Sequence, residues 1–512
     1  MLKTFLTKKV IGPKKYLLLP LLAGFMMIAA FPPFEQGYVA WFALLPLLAT
    51  CLRVTPLRGF WAGFVFGLPL HFYVNLYLSH VLFPYLPTYL AVIAVVSMVA
   101  YISLFNGLFG LAASLAGRMG KAWFTALAVP SLWLLMEFMR SLSFLAYNVG
   151  YLGYTQWGYP LLLNITSMYG YWGLPFLMVF FQTLVLLVYR DKLQGAGRHA
   201  LSAAFLALLS AGIILPGLLP VHKSEQELTV ALIQGNSHPE QVVRSRQEDI
   251  VRLYSSLTEQ ALKDNPAIEL VVWPETVAEL DFSGGREHHP EVVRLAGEFG
   301  IDLLYGARVR DGNQLYNSIA LYSEGREEVP VYHKHRLVPF VEFFPMEELL
   351  NRLLELDLLL GSYSAGEDLT IFDVNGIAVG GAICFESYFG DHIRLLAAEG
   401  SRHIFIPTND AWFGESIGLE QHAQAAAIRA AETGVGVTQV ANSGITISFD
   451  YRGNELFRSG KNETAVFTLP LDLATRDTIY VRYGDYFPAA WALFLVFAAP
   501  AAYRGGTKRR GH

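Results

Sequence analysis

LSAAFLALLSAGIILPGLLPVHKSEQELTVALIQ, residues 201–234, holds the change of pattern that decides the fold. As far as Pro220 it is an uncharged apolar run of membrane-crossing length; from Glu227 it becomes ELTVALIQ, a strand-like segment. Toward the N terminus, apolar runs recur at about 17–34, 38–52, 59–80, 87–116, 122–147, 165–189 and 199–220, and one more follows at 487–503. The expected architecture is an α-helical transmembrane bundle of about eight spans joined to an α/β domain. The divisions are a bundle at 1–222, a soluble domain at 223–484, and a last span with a basic tail at 485–512.

Composition agrees with that division. The 512 residues are 53% hydrophobic and 16% charged, and the mean hydropathy of +0.37 is too high for an ordinary soluble chain. Residues 1–222 hold 13 Lys/Arg against 3 Asp/Glu, 223–484 hold 21 against 39, and 485–512 hold 4 against 1. The acidic middle part would repel phosphate, so nucleic acid is excluded as a partner. Two cysteines, Cys51 and Cys384, make no disulfide framework.

Basic residues fall on alternate gaps between the runs. Lys3, Lys8, Lys9, Lys14 and Lys15 precede the first; Arg53 and Arg58 follow the second, Arg118 and Lys121 the fourth, and Arg190, Lys192 and Arg198 the sixth. Arg504, Lys508, Arg509 and Arg510 end the chain. The positive-inside rule places these gaps in the cytoplasm, and an odd number of preceding spans then puts the acidic domain outside it. Reading the first run as a cleaved signal peptide would leave an even number and spoil the alternation. Glu137 and Arg140, three apart on one helix face, are the conspicuous charges of the bundle. They suit either a structural pair near a helix end or a head-group or substrate-orienting role.

In the acidic part, ELTVALIQ, IELVVW, IDLLYGARV, LYNSIALY, VPVYH, IAVGGAI and RHIFIPT read as strands, and 238–262, 289–299 and 418–433 as helices. Buried strands deliver functional residues at their ends. Glu275 follows VVW, Lys334 follows VPVYH, and Cys384 follows IAVGGAI. Singly these are ordinary: a cap, a solvated lysine, a packed thiol. Together they supply a base, a cation and a nucleophile, the set that acyl transfer through a thioester needs. A free thiol titrates near about pH 8.5 and needs a base or a cation to react at neutrality. The Lys334 ammonium and the Phe385 N–H would receive the developing oxyanion. The 13 histidines show no paired-ligand spacing, so no metal is expected.

WPET at 273–276, YHKHRLVPFVEFFP at 332–345 and ICFES at 383–387 resemble the Glu-Lys-Cys signatures of the nitrilase (carbon–nitrogen hydrolase) superfamily. Set between membrane spans, and with FPPF at 31–34, MEFMR at 136–140 and TNDAWFG at 408–414, they resemble the apolipoprotein N-acyltransferase family. The resemblance implies a nitrilase-like αββα sandwich with Glu275 as general base, Lys334 stabilising the tetrahedral intermediate and Cys384 carrying the acyl group. It also places Glu342 and Glu386 near the site and Asn409 and Trp412 in a loop bordering the substrate entrance. Phe385 stands where a tyrosine is common, VPFVE replaces VPFGE, and a tryptophan that some relatives carry after IQGN is absent. The implied enzyme is a monomer of the bacterial inner membrane with its catalytic domain on the periplasmic side. It needs no cofactor; a phospholipid is the acyl donor and a diacylglyceryl apolipoprotein the acceptor. MEELLNRLLELDLLL at 346–360 suits a flap at the lipid surface or a helix packed on the protein. The alternatives are a membrane-tethered amidase using the same triad and a non-enzymatic receptor.

Overall fold

The computed structural model describes residues 16–142, 145–190, 192–237, 247–285, 287–326, 329–339, 341–343 and 363–507. The proposed flap at 346–360, the first basic cluster and the basic end at 508–510 lie outside the described residues. The chain divides into two compact units: Met1–Leu219 with Glu415–Gln421 and Thr478–His512, and Pro220–Gly414 with His422–Asp477.

The first unit is helical, and fewer than the expected eight spans stand out in it. Among the described residues, four helices are long and apolar enough to cross a membrane: Thr88–Arg118, Ala122–Ser141, Gly195–Leu218 and Tyr486–Tyr503. Pro160–Tyr169 and Gly173–Tyr189, bent by 108°, add a fifth if they form one broken span. Helix-breaking residues account for part of the difference. The run at 17–34 yields only Leu18–Ile28, ending ahead of Pro32 and Pro33. The run at 38–52 splits into short pieces, the last with Pro46 in its first turn. The run at 165–189 is interrupted at Gly170, whose φ is +66°. The run at 59–80 forms Pro56–Val74, which packs closely on Thr88–Arg118. Gly59, Gly63 and Gly67 permit the approach: a Cβ on Gly63 would lie 1.9 Å from the Asn106 carbonyl oxygen.

Glu137 and Arg140 are both buried, each with partners of its own. The Glu137 carboxylate accepts from Trp133 Nε1 at 3.1 Å, the Leu152 N–H at 2.9 Å and the Tyr171 hydroxyl at 3.0 Å. Arg140 donates to the carbonyls of Tyr147 and Val149 and covers the Tyr151 ring at 4.6 Å. Both side chains tie 147–152 to their helix.

The second unit is built on two six-stranded sheets. The strands of these two sheets are β1 (Glu227–Gln234), β2 (Leu270–Asp281), β3 (Asp302–Asp311), β4 (Gln314–Tyr322), β5 (Val331–His333) and β6 (Ile371–Val374), then β7 (Ile377–Gly381), β8 (His403–Thr408), β9 (Gly436–Ala441), β10 (Ile447–Phe449), β11 (Glu455–Arg458) and β12 (Ala465–Asp472). The sheet orders are β12-β1-β2-β3-β4-β5 and β11-β10-β9-β8-β7-β6.

Alternation along the strands sorts side chains between two cores. Leu228, Val230, Leu232, Leu270 and Val272 join Phe372, Val379, Phe405 and Val440 in the core between the sheets. Ala231, Ile233, Val271 and Trp273 turn the other way, onto helices Gln247–Asp264 and Pro290–Phe299. Helix Gly390–Ala398 lies against β7, with Leu396 beside Gly380. This is a helix–sheet–sheet–helix arrangement with strands buried on both faces, hence their continuous apolar runs.

Candidate active site

Glu275 is not at a strand end, as its position after VVW suggested, but on a bulge inside β2. Register with β3 passes from Trp273 opposite Tyr305 to Ala278 opposite Ala307, so 274–277 face Gly306 alone. Thr276 takes a φ of +56° within the bulge. Only glycine fits opposite, because a Cβ at 306 would lie 2.3 Å from the Pro274 carbonyl oxygen and 2.6 Å from the Glu275 Cα. Lys334 follows β5 directly, and its backbone N–H donates to the Asn317 carbonyl at 2.8 Å. Cys384 opens the short 3-10 helix Cys384–Tyr388 after β7, with a φ of +50°.

These elements bring the three predicted residues together. Lys334, 1% exposed, reaches Glu275 Oε1 at 3.4 Å and Glu342 Oε1 at 2.7 Å. Asn317 Nδ2 donates to the same two carboxylates, at 2.7 and 3.0 Å. The other Glu275 oxygen accepts the Asn409 N–H at 2.9 Å. The Cys384 thiol sits where the charges of Glu275, Lys334 and Asp410 act on it. Its residue is half-buried.

The electrostatics follow from burial and these neighbours. Burial pushes the Cys384 thiol well up, and the Glu275 charge adds to this against the pull of Lys334. The Cys384 thiol is therefore neutral, beside a carboxylate. Burial, with Glu342, also raises Glu275, while Lys334 opposes. Burial works against the Lys334 charge, yet Glu342 and Glu275 outweigh it and hold the ammonium well above the usual lysine range.

The remaining predicted residues have distinct places. Glu342 is the group that orients Lys334, and its second oxygen accepts the Val338 N–H at 2.8 Å. Glu386 instead ties backbone: it accepts from the N–H groups of Ile383, His335 and Arg336 and from the Tyr332 hydroxyl, all within 3.0 Å. It thus joins the Cys384 turn to the chain after Lys334. Phe385 turns its ring to Tyr388 and Phe389, at 5.3 and 5.5 Å. Trp412 is half-buried in the turn Asp410–Phe413.

Asn317, Asp410 and His422 were missed. Asn317 interrupts the otherwise strand-like LYNSIALY, which was the one available signal. Asp410 and His422 converge with Cys384, their polar atoms lying within 4.8 Å of one another. Both ring nitrogens of His422 are engaged, by Asp410 and by the Cys384 carbonyl, so the group is not arranged as a metal site.

A buried Glu-Lys-Cys cluster between two such sheets defines the class of carbon–nitrogen hydrolases, and the carbon-nitrogen hydrolase family profile matches residues 229–480. The profile of the apolipoprotein N-acyltransferase N-terminal domain matches residues 23–184. An apolipoprotein N-acyltransferase of Geobacter metallireducens is 30% identical over 96% of this chain and 95% of its own length. One of Methylococcus capsulatus is 28% identical over 92% and 93%. Among solved structures, Saccharomyces cerevisiae Nit3 covers 49% of this chain and 93% of its own at 19% identity, with a TM-score of 0.38. The chain belongs to the apolipoprotein N-acyltransferase family and is an acyltransferase.

Proposed function

We propose that the enzyme transfers an acyl chain from a phospholipid to the N-terminal α-amine of a diacylglyceryl-cysteine on an apolipoprotein, in two half-reactions through Cys384. Glu275 takes the thiol proton as sulfur attacks the donor ester. The oxyanion is held by the Lys334 ammonium and the Phe385 N–H until it collapses, the C–O bond breaks and the lysophospholipid leaves with the proton that Glu275 returns to its oxygen. The amine then attacks the thioester, Glu275 accepts its proton, and the thiol is regenerated as the amide is released. Lys334, held charged by two carboxylates, needs no proton exchange in either half.

The acidic domain, assigned to 223–484, is proposed to work on the periplasmic side of the inner membrane, as the alternating basic gaps favour. Acyl chains and both substrates' lipid anchors would reach it there from the bilayer. Glu342 serves as the positioning residue for Lys334, and Asn409 holds Glu275 through its backbone.

The observation that carries transferase over amidase is the end-to-end match to the Geobacter relative, membrane helices included. The test is a reconstituted assay with phospholipid and a diacylglyceryl-cysteine peptide. N-acylated peptide is expected, and none from Cys384→Ala. Free fatty acid at the same rate with or without the peptide would favour the hydrolase.

A further inference from the structure

Cys384 holds a left-handed backbone conformation that its β-carbon disfavours. What enforces it lies behind the thiol. His422 Nε2 donates to the Cys384 carbonyl oxygen at 3.1 Å, and Nδ1 lies 2.7 Å from Asp410 Oδ1. His422 and Asp410 are 1% and 0% exposed. A carbonyl oxygen only accepts, so Nε2 carries a proton. The carboxylate at the other nitrogen accepts as well, so the ring donates at both ends. The ring stacks on Tyr388 at 5.6 Å, and Phe413 meets it edge-on at 6.2 Å.

Asp410 is fixed in turn. Its Oδ1 accepts from the Thr408 hydroxyl at 3.2 Å, and its N–H donates to the Ser443 carbonyl at 3.1 Å. The residue before it, Asn409, holds Glu275 through its backbone N–H. The end of β8 therefore grips the base directly and the nucleophile through His422. The ionisable groups about the ring are Asp410, the Cys384 thiol, Tyr388 and, farther off, Glu275.

We infer that Asp410 and His422 are a positioning pair for the reaction: they anchor the Cys384 carbonyl, keep the turn in its left-handed form and so aim the thiol at Glu275. The inference rests on the acyl-enzyme reading above. Both residues lie within 4.8 Å of the Cys384 sulfur, and the hydrogen bond they make to Cys384 is to its carbonyl; a charge-assisted hydrogen bond of this kind moves a rate by roughly ten- to a hundredfold.

The experiment measures the rate at which purified full-length protein in detergent micelles acquires an acyl chain from phospholipid, by intact mass, beside its thermal midpoint. His422→Phe keeps the ring stack and loses both donors; His422→Gln loses the ring and keeps a donor. The expected result is acylation about ten- to a hundredfold slower in His422→Phe and a smaller loss in His422→Gln. A packing role predicts the reverse order, which would overturn the inference, as would wild-type acylation in His422→Phe. Asp410→Asn, nearly isosteric, covers the case in which both histidine variants fail to fold. It should slow acylation about tenfold at an unchanged midpoint, and an unchanged rate would overturn the inference. Wild-type protein that takes no acyl chain would overturn the acyl-enzyme reading itself and this inference with it.

Discussion

In the proposed mechanism Glu275 and Cys384 divide the work by protonation state, since the structure sets a neutral thiol beside a buried carboxylate. Glu275→Gln keeps the shape but accepts no proton, so acyl-enzyme formation should fall by roughly a hundred- to ten-thousandfold. Near-wild-type single-turnover rates would remove Glu275 as the base. The pH profile carries a further consequence. Glu275 acts only when ionised, so kcat/KM should be lost as pH falls through a pKa raised above the usual carboxylate range. The Glu342 charge contributes to that rise, so Glu342→Gln should move the acidic limb to lower pH. A limb that stays in place or moves up would contradict the assignment. Glu275, Lys334 and Cys384 stood out because each follows an apolar run in the sequence. Asn317, Asp410 and His422 were not, since a polar residue in a strand, a turn or a helix acquires its meaning only from what the fold sets beside it.

The bulge in β2 is the element that makes the site, and Gly306 across from it is its condition. Gly306→Ala sets a methyl against fixed backbone at Pro274 and Glu275, an overpacking that costs about 1–3 kcal/mol and displaces the base. Both the thermal midpoint and the acylation rate should drop; a variant unchanged in both would refute the account of the bulge. Strand β1 matches ELTVALIQ residue for residue, and the helices read at 289–299 and 418–433 match Pro290–Phe299 and Gly418–Thr433 closely. Period-2 burial and clear polar flanks make such segments readable. The bulge was not readable, because WPET continues an apolar run with no local mark of where pairing lapses. The span count was less legible for a related reason: hydropathy averages over Pro46 and Gly170, whereas a new helix begins with Pro46 in its first turn and another ends at Gly170.

At the scale of the whole molecule, the account requires a membrane enzyme whose catalytic unit works outside the cytoplasm. A reporter active only outside the cytoplasm should be active when fused near residue 300 and inactive when fused after residue 510. The opposite pair of outcomes would reverse the proposed orientation without touching the chemistry. The central claim is that Cys384 holds an acyl chain between two substrates, and a transferase must shield that thioester from water until the amine arrives. Intact-mass analysis after incubation with phospholipid alone tests it most directly. The account predicts one added acyl chain, absent from Cys384→Ala, released by hydroxylamine, persistent in water and discharged by a diacylglyceryl-cysteine peptide. A folded protein that never gains the chain, or gains it equally in Cys384→Ala, would contradict it.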